Sequence, residues 1–383
     1  MKYFDHAATT PPYEDVIRTV GEVMAQHFGN PSSLHRMGED SGKLLSKARE
    51  VCAHALQVNP GEIVFTSGAT ESNNLAIRGA MARYRQRGNH IVTTTVEHAS
   101  VYETCRHLEQ QGCEVTYVPV QANGAVRVED VLAAVTDNTV LVSVMHVNNE
   151  VGAVQPIAEI GRALKNRHPR VLFHVDGVQG FGKLPLSIQD SRIDLYSLSA
   201  HKFRGPKGTG LLYVREGVHL TQLLTGGGQE GGLRSGTENI PYIVGMTKAM
   251  RMAAERQPAL ASHWSKLSRE LHEGLAGLPG LVVNSSPDGA PHIVHFSYPG
   301  IKAEAMLHML EEEGFLVSTQ SACSSKRSEP SRVLLAMQKG KDCSLSGIRI
   351  SLGEEHTEED VRQLLGAVKR TMERLQIVKG GNR

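Results

Sequence analysis

Asp176 closes a short apolar run, VLFHVD (171–176), and Lys202 follows another, in SLSAHKFRGPKG (197–208). A carboxylate at one strand end and an amine in a glycine-flanked loop suit pyridoxal phosphate. The lysine forms a Schiff base, and the carboxylate pairs with the pyridinium nitrogen so that the ring acts as an electron sink. Cys323 stands in STQSACSSKRSEPS (318–331), a polar stretch of small residues. Those flanks argue against a buried, inert thiol, and Lys326 and Arg327 favour the thiolate. A pyridoxal phosphate site with a cysteine on a polar loop points to chemistry at sulfur.

Each residue also has a plainer reading. A lone lysine is ordinarily a solvated charge, and an aspartate before Gly177 can cap a turn. The pair favours the functional reading. SGAT (67–70) can offer backbone amides and a hydroxyl to an anion at a helix N-terminus. It can equally be an ordinary cap whose first turn Glu71 and Asn73 complete. It lacks the spacing of a dinucleotide fingerprint or a Walker loop. His98, in TVEHASV (95–101), either caps the next helix or stacks on a flat ring and moves protons. Asn149, in HVNNEVG (146–152), has the same two readings. Gln179 could donate to a phenolic oxygen. Thr237, in GGGQEGGLRSGTEN (226–239), belongs to a flexible loop or binds phosphate. Arg349, in GIRISLG (347–353), is an exposed strand residue or a bidentate clamp for an amino-acid carboxylate.

The elements that position these residues alternate. Strands are predicted at EIVFT (62–66), HIVTTT (90–95), CEVTYVPV (113–120), TVLVSVMHV (139–147), VLFHVD, DLYSLS (194–199) and GTGLLYVR (208–215). Helical patterns separate most of them. Near-continuous apolar strands between amphipathic helices imply an α/β fold whose mostly parallel sheet is covered on both faces. SGAT, VEH, NNE, Asp176 and AHK all follow apolar strands, so they converge at the carboxyl edge of the sheet. After about residue 255 the character changes to a smaller α+β unit. The division expected is therefore 1–255 and 256–383, with the first ~15 residues returning to the active-site side.

The bulk numbers exclude several classes. The chain has 383 residues, and 41 basic side chains nearly cancel 40 acidic ones. No global basic field exists to capture nucleic acid or anionic membrane. Five cysteines without a CxxC spacing give neither a disulfide framework nor a metal cluster, a usage that fits a reducing cytoplasm. No apolar run has membrane-spanning length, and MKYFDHAATT lacks a signal-peptide core.

Taken together, DHAATTP (5–11), FGNPSS (28–33), FTSGATESNN (65–74), MHVNNEVG (145–152), HVDGVQ (174–179), SAHKFRGPKG (199–208), GLRSGTEN, SACSS (321–325) and IRISLG resemble the cysteine desulfurases of the NifS/IscS group. These are fold-type I pyridoxal phosphate enzymes of the class-V aminotransferase family, and the resemblance spans essentially the whole chain. It implies a seven-stranded sheet in a large domain and a smaller C-terminal domain carrying the cysteine loop. It implies Lys202 as the Schiff-base residue, Asp176 as the ring-nitrogen partner, Gln179 on the phenolic oxygen and His98 stacked on the ring. Ala69, Thr70, Ser199 and His201 match phosphate ligands, and Thr237 matches one supplied by the other subunit of a homodimer. Asn149 and Arg349 match groups that orient cofactor and substrate, and Cys323 matches the persulfide cysteine. L-Cysteine is the implied substrate. The implied acceptor is an iron–sulfur scaffold, a tRNA-thiolation enzyme or a sulfur carrier. Gln320 stands where the family usually has glycine, and Gly177 and Val178 where Ala-Thr is common. The nearest rival is another lyase or transaminase of this fold, selenocysteine lyase included. A sulfur-carrier protein that keeps the cofactor only structurally is the second.

Overall fold

A computed structural model of the chain describes residues 1–319 and 329–380. In chain order its strands are β1 Lys2–Tyr3, β2 Ile63–Thr66, β3 His90–Thr94, β4 Glu114–Val118, β5 Thr139–Met145, β6 Leu172–Asp176, β7 Leu195–Ser199, β8 Gly210–Val214, β9 Val282–Val283, β10 Ile293–Ser297, β11 Phe315–Leu316 and β12 Gly347–Ser351. Seven of them form one sheet in the order β2-β8-β7-β6-β5-β3-β4. Only β8 runs antiparallel to its neighbours there, while β3 to β7 pair in parallel. This is the mostly parallel α/β sheet that the apolar runs predicted. Strands β5, β6 and β7 are buried along their whole length because helices cover both faces, so alternation gives way to continuous Val, Leu and Phe.

The chain passes from β3 outward to β4, then crosses back to β5 and continues toward β7. The carboxyl ends of β3 and β5 therefore flank the point where strand order reverses, the place where open α/β sheets bind ligands.

A second core gathers Phe4, Trp264, Leu267, Leu271, Phe296, Ile348, Ile350 and Val368 around the antiparallel sheet β12-β10-β9. The N-terminus belongs to this side: β1 pairs with β11, and Asp5 bridges to Ser351. Helix Ile240–Ala276 joins the two cores. Its first half packs Ile243, Met246 and Met250 on the large sheet, and its second half packs Trp264, Leu267 and Leu271 in the smaller core. The sequence pattern marked only 259–276 of this helix, which begins nineteen residues earlier at Ile240.

Candidate active site

The carboxyl ends of the central strands open into a cavity of about 520 Å³. Ala69, Thr70, His98, Asn149, Asp176, Gln179, Ser199, His201, Lys202 and Arg349 all line it, together with Ala7, Ala8 and Lys207. Topology thus assembles ten residues that are scattered over 281 positions, from 69 to 349. Thr237 is exposed and is not among the lining residues. Cys323 lies outside the described residues.

Lys202 ends the short turn Ala200–Lys202 directly after β7. Its Nζ donates to the carbonyls of Ala7 at 2.6 Å and Ala8 at 2.8 Å. Burial, with the Arg349 and Lys183 cations nearby, pulls this amine down to about 7, although Asp5 and Asp176 oppose the shift. Near neutral pH a large share of the amine is unprotonated, the state a nucleophile needs.

Asp176 is buried at the end of β6. Its Oδ2 accepts from Asn73 Nδ2 at 2.8 Å, and its Oδ1 accepts from the Val178 amide at 3.1 Å. The turn-capping role is real, and the carboxylate lines the cavity as well. Gln179 Nε2 donates to the Ala7 carbonyl at 2.9 Å. His98 is the N-cap of helix Ala99–Gln110, its Nδ1 accepting from the Ser100 amide at 3.1 Å. That bond fixes Nδ1 as the acceptor and turns the other nitrogen to its remaining surroundings. Burial, with Lys202 and Arg332 nearby, lowers the His98 pKa, and Asp176 opposes it.

Helix Ala69–Arg83 begins at the cavity with no side chain capping its first amides. Gly68 precedes it at φ +149°, a conformation open to glycine and strained for other residues. An uncapped helix start presents free N–H groups and the positive end of the helix dipole. Ser199 stands beside this helix start, its Oγ 3.5 Å from where a Cβ on Gly68 would lie, and His201 lines the same cavity. Burial, then Lys202, Lys207 and His98, hold His201 down at about 4, so its imidazole is neutral at pH 7.

Arg349 is only 1% exposed, which corrects the plainer expectation of an exposed strand residue. All five residues of β12 are buried because Ala303–Glu312 and the N-terminal segment cover it. Arg349 Nη2 pairs with Asp5 Oδ1 at 2.8 Å, and Nη1 donates to the Asn149 carbonyl at 2.8 Å.

The described flanks of the cysteine segment meet this site. Ser318 and Arg349 exchange backbone bonds of 2.7 and 3.1 Å. On the far flank, Ser331 Oγ donates to Glu150 at 2.6 Å, and the Arg332 guanidinium donates to the carbonyls of Thr95 and Glu97.

Comparison with known proteins decides the family. Residues 2–364 match the model described as aminotransferase class-V. The chain belongs to this family. A relative from Clostridium botulinum, named cysteine desulfurase IscS, is 42% identical over 95% of this chain and 92% of its own. A solved NifS-like protein superposes with a TM-score of 0.92 at 39% identity, covering 97% of this chain and 99% of the other. A structure titled SspA in complex with cysteine gives a TM-score of 0.81 at 37% identity over 92% and 99% of the two chains. Within the class-V family the chain is thus a member of the NifS/IscS cysteine desulfurase group.

The donor set of this class-V site fits pyridoxal phosphate. A desolvated lysine, a buried carboxylate and an uncapped helix start occupy one cavity. Sequence reading missed part of the arrangement. Asn73 does not merely finish a helical turn: fully buried, it holds Asp176. The asparagine's one turn's distance from SGAT was the available signal. The carbonyls of Ala7 and Ala8 carry no side-chain signal at all. Gly177 has a local cause, since a Cβ there would lie 2.0 Å from Tyr196 Cζ. The Tyr196 ring fills the space a larger residue would need.

Proposed function

We propose that this protein is a pyridoxal phosphate-dependent cysteine desulfurase that converts L-cysteine to L-alanine. The sulfur passes through a Cys323 persulfide to an acceptor protein. The observation that carries this reading is the desolvated Lys202 amine, which lines one cavity with Asp176 and Arg349, while the described flanks of the cysteine segment are anchored beside that lining: Ser318 bonds the backbone of Arg349, and Arg332 bonds the carbonyl of Glu97, next to His98.

When bound, pyridoxal phosphate supplies an electron sink for the substrate's α-carbon. Ala69, Thr70, Ser199 and His201 would hold its phosphate, through backbone amides, hydroxyls and a neutral imidazole. Asp176 would hold the ring nitrogen in its charged form, Gln179 would donate to the phenolic oxygen, and His98 would lie against the ring. Lys202 would anchor the cofactor covalently, and its free amine would move the substrate's α-proton. Arg349 and Asn149 orient the substrate. Arg349 Nε is buried without a hydrogen-bond partner among the described residues, a donor suited to the incoming carboxylate. The Cys323 thiolate then attacks the substrate sulfur. The C–S bond breaks with its electron pair left on the three-carbon fragment, which takes a proton and leaves as alanine. Cys323 keeps the sulfur, and His98 is the candidate proton carrier for these steps.

The cysteine-bound relative supports L-cysteine as substrate. We assign Thr237 to the phosphate site of a second copy in a homodimer, which agrees with its exposed position outside its own cavity. The acceptor is an iron–sulfur scaffold, a tRNA-thiolation enzyme or a sulfur carrier. Direct nucleic-acid binding is disfavoured by a net charge of +1. No helix among the described residues is long and apolar enough to cross a membrane, and we place the enzyme in the cytoplasm. The two cores support a division near residue 255, with helix Ile240–Ala276 as the shared strut.

The test is alanine and sulfide production from L-cysteine with reductant, comparing wild type with Cys323→Ser while recording the cofactor spectrum. The variant should keep the yellow chromophore and lose turnover. Full turnover by the variant would favour the lyase reading, and a colourless wild type would remove the cofactor assignment.

A further inference from the structure

Lys183 is a second buried lysine beside the reactive one, and it takes no part in the chemistry above. It lies on the turn that follows Asp176, Gln179 and Gly180, and it is 7% exposed. Its Nζ donates to the main-chain carbonyl of Lys202 at 2.8 Å. An ammonium buried this deeply is costly without a reason to be there. Here it grips the backbone of the residue whose side chain must be placed.

We propose that Lys183 is a positioning residue for Lys202: its buried ammonium holds the Ala200–Lys202 turn through the Lys202 carbonyl and sets a second positive charge beside the reactive side chain. This rests on the reading of Lys202 as the reactive amine. The charges facing Lys202 come from several elements. Lys183 and Arg349 oppose its protonation, while Asp5 and Asp176 favour it. His98 and His201 are close by and have lowered pKa values of their own. Lys183 itself faces Arg204, Glu354 and His292. Burial and Arg204 bring its amine down to about 8, with Glu354 opposing, so it remains mostly charged at pH 7. The carbonyl bond defines where the turn sits, and the same charge acts on the Lys202 amine alongside burial and Arg349.

The experiment uses the full chain stripped of cofactor. Lys202 is acylated at a series of pH values and quantified by peptide mass spectrometry in wild type, Lys183→Met, Lys183→Gln and Lys183→Arg. The Met and Gln variants should move the half-labelling pH of Lys202 up by roughly one unit, which lowers labelling at pH 6 about tenfold. Arg keeps the charge and should keep the wild-type profile. Gln separates the two roles, because it keeps a donor for the carbonyl without a charge. If the wild-type profile is depressed and Met and Gln leave it unchanged, the proposal for Lys183 is overturned while Lys202 stands. A wild-type Lys202 that labels like an ordinary surface lysine overturns both.

Discussion

Asp176, at the end of β6, and His98, at the N-cap of helix Ala99–Gln110, are tied together through the amide of one buried side chain. Asn73 Nδ2 donates to Asp176 Oδ2 at 2.8 Å and to Ser100 Oγ at 2.9 Å. Ser100 Oγ lies 2.9 Å from His98 Nδ1. The carboxylate under the proposed ring nitrogen and the imidazole over the proposed ring face thus share one support.

Truncating that support should disturb both. Asn73→Ala leaves a buried carboxylate oxygen short of a donor, a loss worth about 1–3 kcal/mol. The expected result is a lower melting temperature with weakened cofactor affinity. Asn73→Asp should be worse, because it buries a second carboxylate against Asp176. Thermal melts and cofactor titration of the three proteins check this. Unchanged cofactor affinity in both variants would refute the shared-support idea.

The lowered pKa of Lys202 gives a signed pH dependence. Covalent capture of the cofactor by the stripped protein should accelerate as pH rises through about 7 and level off above it. Stability has the same sign. The unfolded lysine titrates near about 10.4, so between that value and 7 the unfolded chain binds the extra proton. Stability of the stripped protein should therefore rise with pH across this window. Lys202→Met removes that contribution, and the difference between the two denaturation curves as a function of pH measures it.

Gly177 and Tyr196 should behave as a coupled pair. Gly177→Ala drives a methyl into the Tyr196 ring, an overpacking cost of about 1–3 kcal/mol. Tyr196→Ala removes the obstruction but opens a cavity. In a double-mutant cycle the double variant should be less destabilised than the sum of the singles. Additive losses would show that the backbone at Gly177 relaxes away from the ring.

Arg349→Ala should cost about 2–3 kcal/mol of the stabilisation that kcat/KM for L-cysteine measures, chiefly through KM. It also strands the Asp5 carboxylate, which is otherwise paired at 2.8 Å. Arg349→Lys retains a charge without the planar fork and should recover only part of the loss. Steady-state kinetics of the two variants decide between a clamp and a purely structural ion pair.

The sequence by itself determined the sheet and the list of residues at its edge. Strands such as TVLVSVM and LFHVD are apolar on both faces, so they must be buried between helix layers. In such folds polar residues just beyond strand ends have one edge at which to gather. That reasoning placed Asp176, His98, Asn149 and the Lys202 turn together without coordinates. It could not see groups that act through backbone or through burial. The carbonyls of Ala7 and Ala8 reach Lys202 only because β1 pairs with β11 and draws the N-terminus across the site. The state of the Lys202 amine depends on desolvation and on Lys183 and Arg349, one close in sequence and the other 147 positions away. Arg349 could be read from the sequence as an exposed strand residue or as a clamp, and only the fold shows that it is buried, because the N-terminal segment covers its strand. Types and spacing decide which groups can do the chemistry. Their charge states are fixed by distances in a low-dielectric interior, which exists only once the chain has packed.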